Sequence, residues 1–143
     1  MGTIPKKVWP LIDGAFPHHT CLIGTVLPSG FAQITPRGSA QVYDGDHISL
    51  WERGRGTSTQ LLADGGKATV FFFDLGAKDV LPIGGLVRLY GTATAHKSGP
   101  VYDKVWERLI PMEKKWDPDK KGWAVVMKVE RAEDLFGNPL KAD

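Results

Sequence analysis

SAQVYDGDHISLWERGRGTSTQLLAD, residues 39–64, contains two apolar runs, a tight turn between them and then a segment of different periodicity. The residues DGD at 44–46 separate the two runs and are the strongest short-range hairpin signal that a sequence offers. After Glu52 the alternation of apolar and polar residues is lost, and TSTQLLAD fits about two helical turns that end at a Gly-Gly pair. The stretch therefore predicts a β-hairpin that leads into a short helix.

Other segments of the chain also have the composition of strands. They are rich in apolar and β-branched residues and are bounded by turn signals: TCLIGTVL, FAQITP, KATVFFFD, LVRLYGTATAH, WAVVMKV and AEDLFG. A longer helix is predicted in GPVYDKVWERLI, where Val101, Val105 and Leu109 recur every four residues. Because turns rather than helical crossovers join the strands, we expect an antiparallel barrel or sandwich whose first strands form a meander.

The composition is that of one globular domain, which we expect to span residues 1–143. The formal net charge of +2 comes from residues spread along the chain, which argues against nucleic acid as a partner. The single cysteine, Cys21, excludes an internal disulfide framework and favours a reducing, cytoplasmic location. The chain lacks a run of about 18 apolar residues and the apolar core of a signal peptide, so neither membrane insertion nor secretion is expected.

The turn ERGRGTST combines features of an anion-binding site. A glycine-rich turn that opens a helix presents free N–H groups and the positive end of the helix dipole. Arg53 and Arg55 add charge, and Thr57, Ser58 and Thr59 add hydroxyl donors. The pattern is neither a Walker loop nor a dinucleotide fingerprint. The alternative is a surface turn with Thr57 as the helix cap and two solvated arginines.

The order of these segments, from about Thr20 to Gly137, resembles that of the pyridoxamine 5′-phosphate oxidase-like family of FMN-binding split β-barrels. In that family a strand pair like FAQITPRGSAQVYDGDHISLW runs into a helix whose start binds the flavin phosphate, and strands like KATVFFFD and LVRLYGTATAH follow. The resemblance implies a mainly β fold, an antiparallel split β-barrel with one long helix and short flanking helices. It also implies FMN as the cofactor.

The resemblance further implies a set of cofactor contacts. The family usually holds the phosphate with an Arg and a Lys at the helix start, and here Gly56 and Thr57 occupy those positions. We expect Arg53 and Arg55 to replace the lost charge, with Arg37 as a further candidate. The predicted cofactor-binding residues are Arg37, Ser39, Gln41, Leu50, Trp51, Glu52, Arg53, Arg55, Gly56, Thr57, Ser58, Trp116 and Trp123.

A homodimer with the flavin in a groove between the subunits is also implied by the resemblance. Trp116 and Trp123 flank a polar loop and are candidates to cover that groove, because aromatic residues are favoured at interfaces and against flat rings. The alternative for each tryptophan is ordinary core packing, which we favour for Trp106 on the long helix.

Other polar groups give little support for metal binding or acid–base chemistry. In HHTC, residues 18–21, strand alternation separates His18 from His19 and Cys21, so a metal site is not expected. No hydrolytic triad is present, and Asp117 with Asp119 is expected to be solvated. A flavin protein does not need such groups, because the cofactor carries the redox chemistry.

The sequence therefore leaves two candidate functions. The first is a small FMN-dependent oxidoreductase that passes electrons to an unidentified small organic acceptor and loses its flavin when Arg55 is replaced. The second is a non-catalytic split-barrel module for flavin storage, F420 or haem binding.

Overall fold

Seven strands form one antiparallel sheet in the computed structural model, which describes residues 2–54 and 56–142. The strands are β1 (Leu22–Val26), β2 (Ala32–Pro36), β3 (Gln41–Asp44), β4 (His47–Glu52), β5 (Lys67–Phe73), β6 (Leu86–His96) and β7 (Trp123–Glu133). Their order across the sheet is β2-β1-β5-β6-β7-β4-β3. The predicted hairpin over residues 44–46 is the pair β3 and β4.

The sheet curls until its two ends lie close together. β2 and β3 are at opposite ends of the strand order, yet only residues 37–40 separate them along the chain. Because a chain spans at most about 3.5 Å per residue, the two edge strands must lie within about 18 Å of each other. The sheet is therefore a barrel that stays open between β2 and β3, which is a split barrel.

The prediction that the first strands form a meander is wrong. In the described part of the chain β2 pairs with β1, and β3 pairs with β4, but β2 and β3 do not pair with each other. Turn residues specify each hairpin locally, whereas the pairing of β1 with β5 and of β4 with β7 depends on side chains that are distant in sequence.

The sequence predicts separate strands in WAVVMKV and AEDLFG, but β7 continues to Glu133 and a turn follows it. The register between β6 and β7 shifts opposite Tyr90 and Gly91, where Glu130 is the extra residue. A bulge interrupts the alternation of a strand. For this reason the two halves of β7 look unrelated in sequence.

Four short α-helices are present in the described residues: α1 (Trp9–Asp13), α2 (Thr57–Ala63), α3 (Pro100–Arg108) and α4 (Pro111–Trp116). Single 3-10 turns cover Lys6–Val8 and Leu75–Ala77. The helix predicted after the hairpin is α2, and the longer predicted helix is α3, which begins at Pro100 as expected for proline in a first turn. These helices are too short to cross a membrane.

Two apolar clusters within the described residues stabilise the fold. The larger one fills the barrel with inward-facing side chains such as Ile23, Val70 and Leu89. Burying a side chain of this size contributes about 2 kcal/mol. The smaller cluster lies outside the barrel, where α3 packs on β4 and β7 through Trp51, Val105, Leu109, Ala124 and Val126. β4 is therefore covered on both faces, and its end is held rigidly.

No helix in the described part of the chain gives the outer face of β1, β2 and β5 a comparable cover. Val26 and Ile34 are exposed there, and Phe31 has 76% of its surface exposed. Val26 and Ile34, together with residues of β5 and β6, line a concavity of about 600 Å³.

Candidate functional site

The described residues of the turn from β4 into α2 leave space around two glycines. Gly56 is the residue before the helix, and no side chain among the described residues caps the first N–H groups of the helix. A Cβ atom added at Gly54 or Gly56 would meet no atom within 4 Å. Thr57 is the first helical residue and is exposed, so the alternative in which Thr57 itself caps the helix is wrong.

The two hydroxyls after Thr57 point into the protein. Ser58 lies 3.1 Å from the hydroxyl of Thr25 on β1, and both side chains are buried. Thr59 donates a hydrogen bond of 3.4 Å to Oε1 of Glu52. Of the three consecutive hydroxyls, only that of Thr57 lies on the exposed side of the turn.

Arg37 and Glu52 form a two-bond ion pair at the end of β4. Nε of Arg37 lies 2.6 Å from Oε2 of Glu52, and Nη2 lies 3.0 Å from Oε1. Glu52 is buried, and an arginine–carboxylate pair with two bonds is among the stronger polar contacts in proteins. The charge of Arg37 is therefore balanced within the chain.

Ser39 holds the backbone of β4 beside this pair. Its Oγ accepts a hydrogen bond of 2.9 Å from the N–H of Trp51 and donates one of 3.3 Å to the carbonyl oxygen of Trp51. The backbone N–H and carbonyl oxygen of Trp51, at one of the positions where the resemblance implies a flavin contact, are therefore already hydrogen-bonded to Ser39. The side chains of Trp51 and Leu50 are buried in the core, and Gln41 is half-buried at the start of β3.

Arg53 lies between an acidic and an aromatic side chain of α4. Its Nε is 3.6 Å from Oε2 of Glu113, and its guanidinium carbon is 5.0 Å from the centre of the Trp116 ring. Trp116 is half-exposed. Arg55, the second arginine of the predicted phosphate site, lies outside the described residues.

Glu113 is the main feature of the site that the sequence did not reveal. It lies in the polar segment PMEKKW, where nothing distinguishes a buried glutamate from a solvated one. Burial raises the pKa of Glu113, although Arg53 and Arg37 act in the opposite direction, and Glu52 raises the pKa as well. Among the described residues, four charged groups therefore lie near one another at the end of β4: Arg37, Glu52, Arg53 and Glu113.

Asp117 anchors the loop behind Trp116, and the expectation that it is solvated is wrong. It is buried and accepts hydrogen bonds from Nε1 of Trp51, from the N–H of Lys121 and from the N–H of Gly122. Trp106 is half-buried and packs against Trp51 at 5.0 Å between ring centres, at the margin of the smaller apolar cluster. The burial of Asp117 could not be predicted from the sequence, because the three groups that donate hydrogen bonds to it lie in a distant strand and in a loop.

Trp123 is the first residue of β7 and pairs with Glu52 in the sheet register. It is half-buried, with Nζ of Lys97 4.2 Å from its ring centre. Both predicted tryptophans thus lie near the end of β4, Trp116 through Arg53 and Trp123 through the strand pairing.

The histidine and cysteine segment before β1 forms no site in the described structure. His19 lies 3.5 Å from Asp74, and Cys21 is buried with a pKa raised to about 12 by burial and by Asp13. A thiol of this kind is inert at neutral pH. Within residues 2–54 and 56–142, no three metal-ligating side chains come together.

Comparison with known proteins gives similarity of structure only. No protein-family model matches the sequence, and no curated protein matches it by sequence. HupZ of Group A Streptococcus is 23% identical, covers 96% of this chain and 99% of its own, and superposes with a TM-score of 0.70. An FMN-binding protein from Syntrophomonas wolfei is 18% identical, with coverage of 95% and 87% and a TM-score of 0.69.

More distant structures have the same fold. A Clostridium acetobutylicum protein of the pyridoxinephosphate oxidase family, related to general stress protein 26 of B. subtilis, is 15% identical over 85% of this chain and 83% of its own, with a TM-score of 0.59. An F420 reductase is 14% identical over 91% and 98%, with a TM-score of 0.57. At this level of identity the comparisons establish the fold.

Proposed function

We propose, from the premise that the chain has the split β-barrel fold of the pyridoxamine 5′-phosphate oxidase-like proteins, that it is an FMN-binding flavoprotein. The resemblance stated from the sequence is confirmed at the level of the fold. Structural neighbours include an FMN-binding protein and an F420 reductase, which supports a flavin-type cofactor. The choice of FMN among flavin-type cofactors is part of the proposal.

The open turn from β4 into α2 is the observation that carries this proposal. The two glycines leave free space at the turn, Arg53 is half-exposed beside it, and the Thr57 hydroxyl faces outward. These groups fit a phosphate, which binds best where N–H groups, a hydroxyl and a guanidinium converge. Trp116 next to Arg53 offers an exposed aromatic surface to a flat ring.

As an enzyme, the protein would be a small oxidoreductase. A bound flavin would supply the redox chemistry, and the residues of the chain would bind and orient it. Arg53 and Thr57 would hold the phosphate, while the Ser39 bonds to Trp51 keep the end of β4 rigid. The substrate would be a small organic acceptor, and the single, buried thiol of Cys21 suits a reducing cytoplasm.

One observation favours the second candidate, a non-catalytic binding module. Both described arginines at the site already face carboxylates, Arg37 with Glu52 and Arg53 with Glu113. Less positive charge is then available to a phosphate than two unpaired arginines would offer. Storage of a flavin, or binding of F420 or haem, would follow from such a site.

A homodimer is the third part of the proposal. The exposed side chains Val26, Phe31 and Ile34 form an apolar patch on the hairpin of β1 and β2, and patches of this kind mark interaction surfaces. In a two-fold dimer the same patch would serve both subunits, each burying about 800 Å². β1, which contributes Val26 to the patch, also carries Thr25, the partner of Ser58 in α2. The second subunit would thus lie next to the proposed cofactor site.

The experiment is the visible absorption spectrum of the purified protein after incubation with FMN and removal of unbound ligand. A retained two-band flavin spectrum is expected. Bleaching on addition of NADH or NADPH, and recovery with an acceptor, would support the oxidoreductase, whereas a flavin that stays oxidised would favour the module. Failure to retain FMN would refute the proposed cofactor, and F420 and haem would then be tested in the same way.

A further inference from the structure

One oxygen atom of Glu113 is buried without a hydrogen bond. The side chain is 3% exposed, and Oε2 has no hydrogen-bond partner among the described residues. The guanidinium of Arg53 is 3.6 Å away, which is an ion-pair contact but too long for a hydrogen bond. Buried carboxylate oxygens normally accept at least one hydrogen bond, so this arrangement calls for a functional reason.

Arg53 is held less tightly than the neighbouring arginine. Its side chain is 43% exposed, and it is followed by Gly54, around which the structure leaves space. Arg37, in contrast, is fixed to Glu52 by two hydrogen bonds. Of these two arginines, Arg53 is therefore the one that can turn from its carboxylate toward the start of α2 by a change of rotamer.

We infer that Glu113 competes with an anionic ligand for Arg53 and is thereby a positioning residue of the proposed phosphate site. The inference rests on the proposed function. Without ligand, Arg53 lies between Glu113 and Trp116. When a phosphate group binds at the start of α2, Arg53 turns to it, and Glu113 loses its counter-charge.

Proton uptake is the consequence. The charged groups that face Glu113 are Arg53, Arg37 and Glu52, and Arg53 also acts on Asp117. Burial already raises the pKa of Glu113 above its ordinary value of 4.5. When Arg53 turns away, the pKa of Glu113 rises further. At a pH between the pKa values of Glu113 in the free and in the ligand-bound protein, ligand binding is therefore accompanied by uptake of a proton by Glu113. Binding is therefore strengthened as the pH falls through that window.

The test is a fluorescence titration with FMN between about pH 5 and about pH 8, because this range covers a raised carboxyl pKa. Glu113→Gln keeps the size of the side chain and removes its charge. Glu107→Gln removes the same charge from an exposed position on α3 and is the control. The phosphate of FMN titrates in all three proteins, so only the difference between them reports on Glu113.

We expect Glu113→Gln to bind FMN about two- to fivefold more tightly than the wild type near neutral pH, the range typical of a half-exposed ion pair. This advantage should shrink toward acid pH, where Glu113 is protonated in the wild type. Glu107→Gln should match the wild type throughout. Equal or weaker binding by Glu113→Gln, or an advantage that does not depend on pH, would overturn the inference.

A second measurement separates this inference from the proposed function. Carbon NMR of the Glu113 carboxyl, without ligand, should show a higher pKa in Arg53→Gln than in the wild type. An unchanged pKa would overturn the pairing of the two residues even if FMN binds. If neither the wild type nor Glu113→Gln binds FMN, the proposed function fails and the competition with it, whatever the NMR titration shows.

Discussion

Nε1 of Trp51 donates a hydrogen bond of 2.8 Å to Oδ2 of Asp117, although 66 positions separate the two residues in sequence. The same carboxylate accepts from the backbone N–H groups of Lys121 and Gly122 at 2.9 and 2.7 Å. These contacts fasten the loop after α4 to the end of β4. Because Trp116 directly precedes Asp117, the bond to Trp51 also positions the aromatic edge of the candidate site.

Asp117→Asn should destabilise the protein by about 2 kcal/mol. The amide keeps one acceptor oxygen but cannot satisfy three donors, and hydrogen bonds to charged groups contribute more than neutral ones. Chemical denaturation would measure the change. Asp119→Asn, at an exposed position of the same loop, should change stability by less than about 0.5 kcal/mol. Equal effects of the two variants would contradict the anchoring role.

The same carboxylate should make stability depend on acid pH. Burial alone would raise the pKa of Asp117, but hydrogen bonds from Lys121, Trp51 and Gly122, with the charge of Arg53, outweigh it and hold the pKa below its ordinary value of 3.8. The ionised group therefore contributes stability above 3.8, and this contribution is lost as the pH falls through the lower, folded-state pKa. Urea unfolding of the wild type and of Asp117→Asn should converge at low pH, and a difference independent of pH would refute the argument.

Gly122→Ala should disturb this anchor sterically. A Cβ atom at Gly122 would collide with Nε1 of Trp51. We expect a loss of about 1 to 3 kcal/mol and a change in tryptophan fluorescence, because overpacking forces neighbouring groups to move. Gly54→Ala, where the added carbon meets nothing within 4 Å, is the matched control and should be nearly neutral.

Arg37→Met should cost about 3 kcal/mol of unfolding free energy, since it leaves the buried carboxylate of Glu52 without its counter-ion. The double variant Arg37→Met with Glu52→Gln should recover part of the loss, because the uncompensated charge is gone. A double-mutant cycle by denaturation checks both statements. Additive losses in the cycle would mean that the two groups do not stabilise each other.

Phe31→Asp should convert the proposed dimer into a monomer. The substitution places a charge in the apolar patch beside β2, where it would be buried by a second subunit. Light scattering should then fall from twice the chain mass to the mass of one chain, 15.7 kDa. Phe136→Asp is the matched control, because Phe136 is 77% exposed, like Phe31 at 76%, but lies on the turn after β7. A monomeric wild type, or a dimeric Phe31→Asp, would contradict the assignment of this face.

Thr57→Val should weaken FMN binding, whereas Ser58→Ala should lower the stability of the protein. Thr57 is exposed at the proposed phosphate site, so its hydroxyl is expected to contribute about fivefold in FMN affinity and little in stability. Ser58 is bonded to Thr25 inside the protein, so Ser58→Ala is expected to cost about 1 kcal/mol of stability with unchanged FMN affinity. Titration and denaturation of both variants would show whether the two hydroxyls have these separate roles.

The position of the site along the chain could be predicted from the sequence, but the pairing of its charged side chains could not. The sequence indicates that a strand ends near Glu52, that glycines follow and that a helix starts near Thr57, because turns and helix starts depend on adjacent residues. It does not indicate that Arg37 pairs with Glu52 or that Arg53 faces Glu113. Those pairs join side chains from different elements, and free and paired arginines look identical in a sequence.

Turn chemistry and periodicity within a few residues are enough to predict the hairpin of β3 and β4, the short helix after β4 and the start of α3. Contacts between residues that are distant in sequence, in contrast, set β2 and β3 at opposite ends of the sheet. The same contacts bring α4 against the end of β4 and bury Glu113 and Asp117 there. Closing the barrel depends on apolar side chains that meet across the whole chain, and these distant contacts select which charges become neighbours.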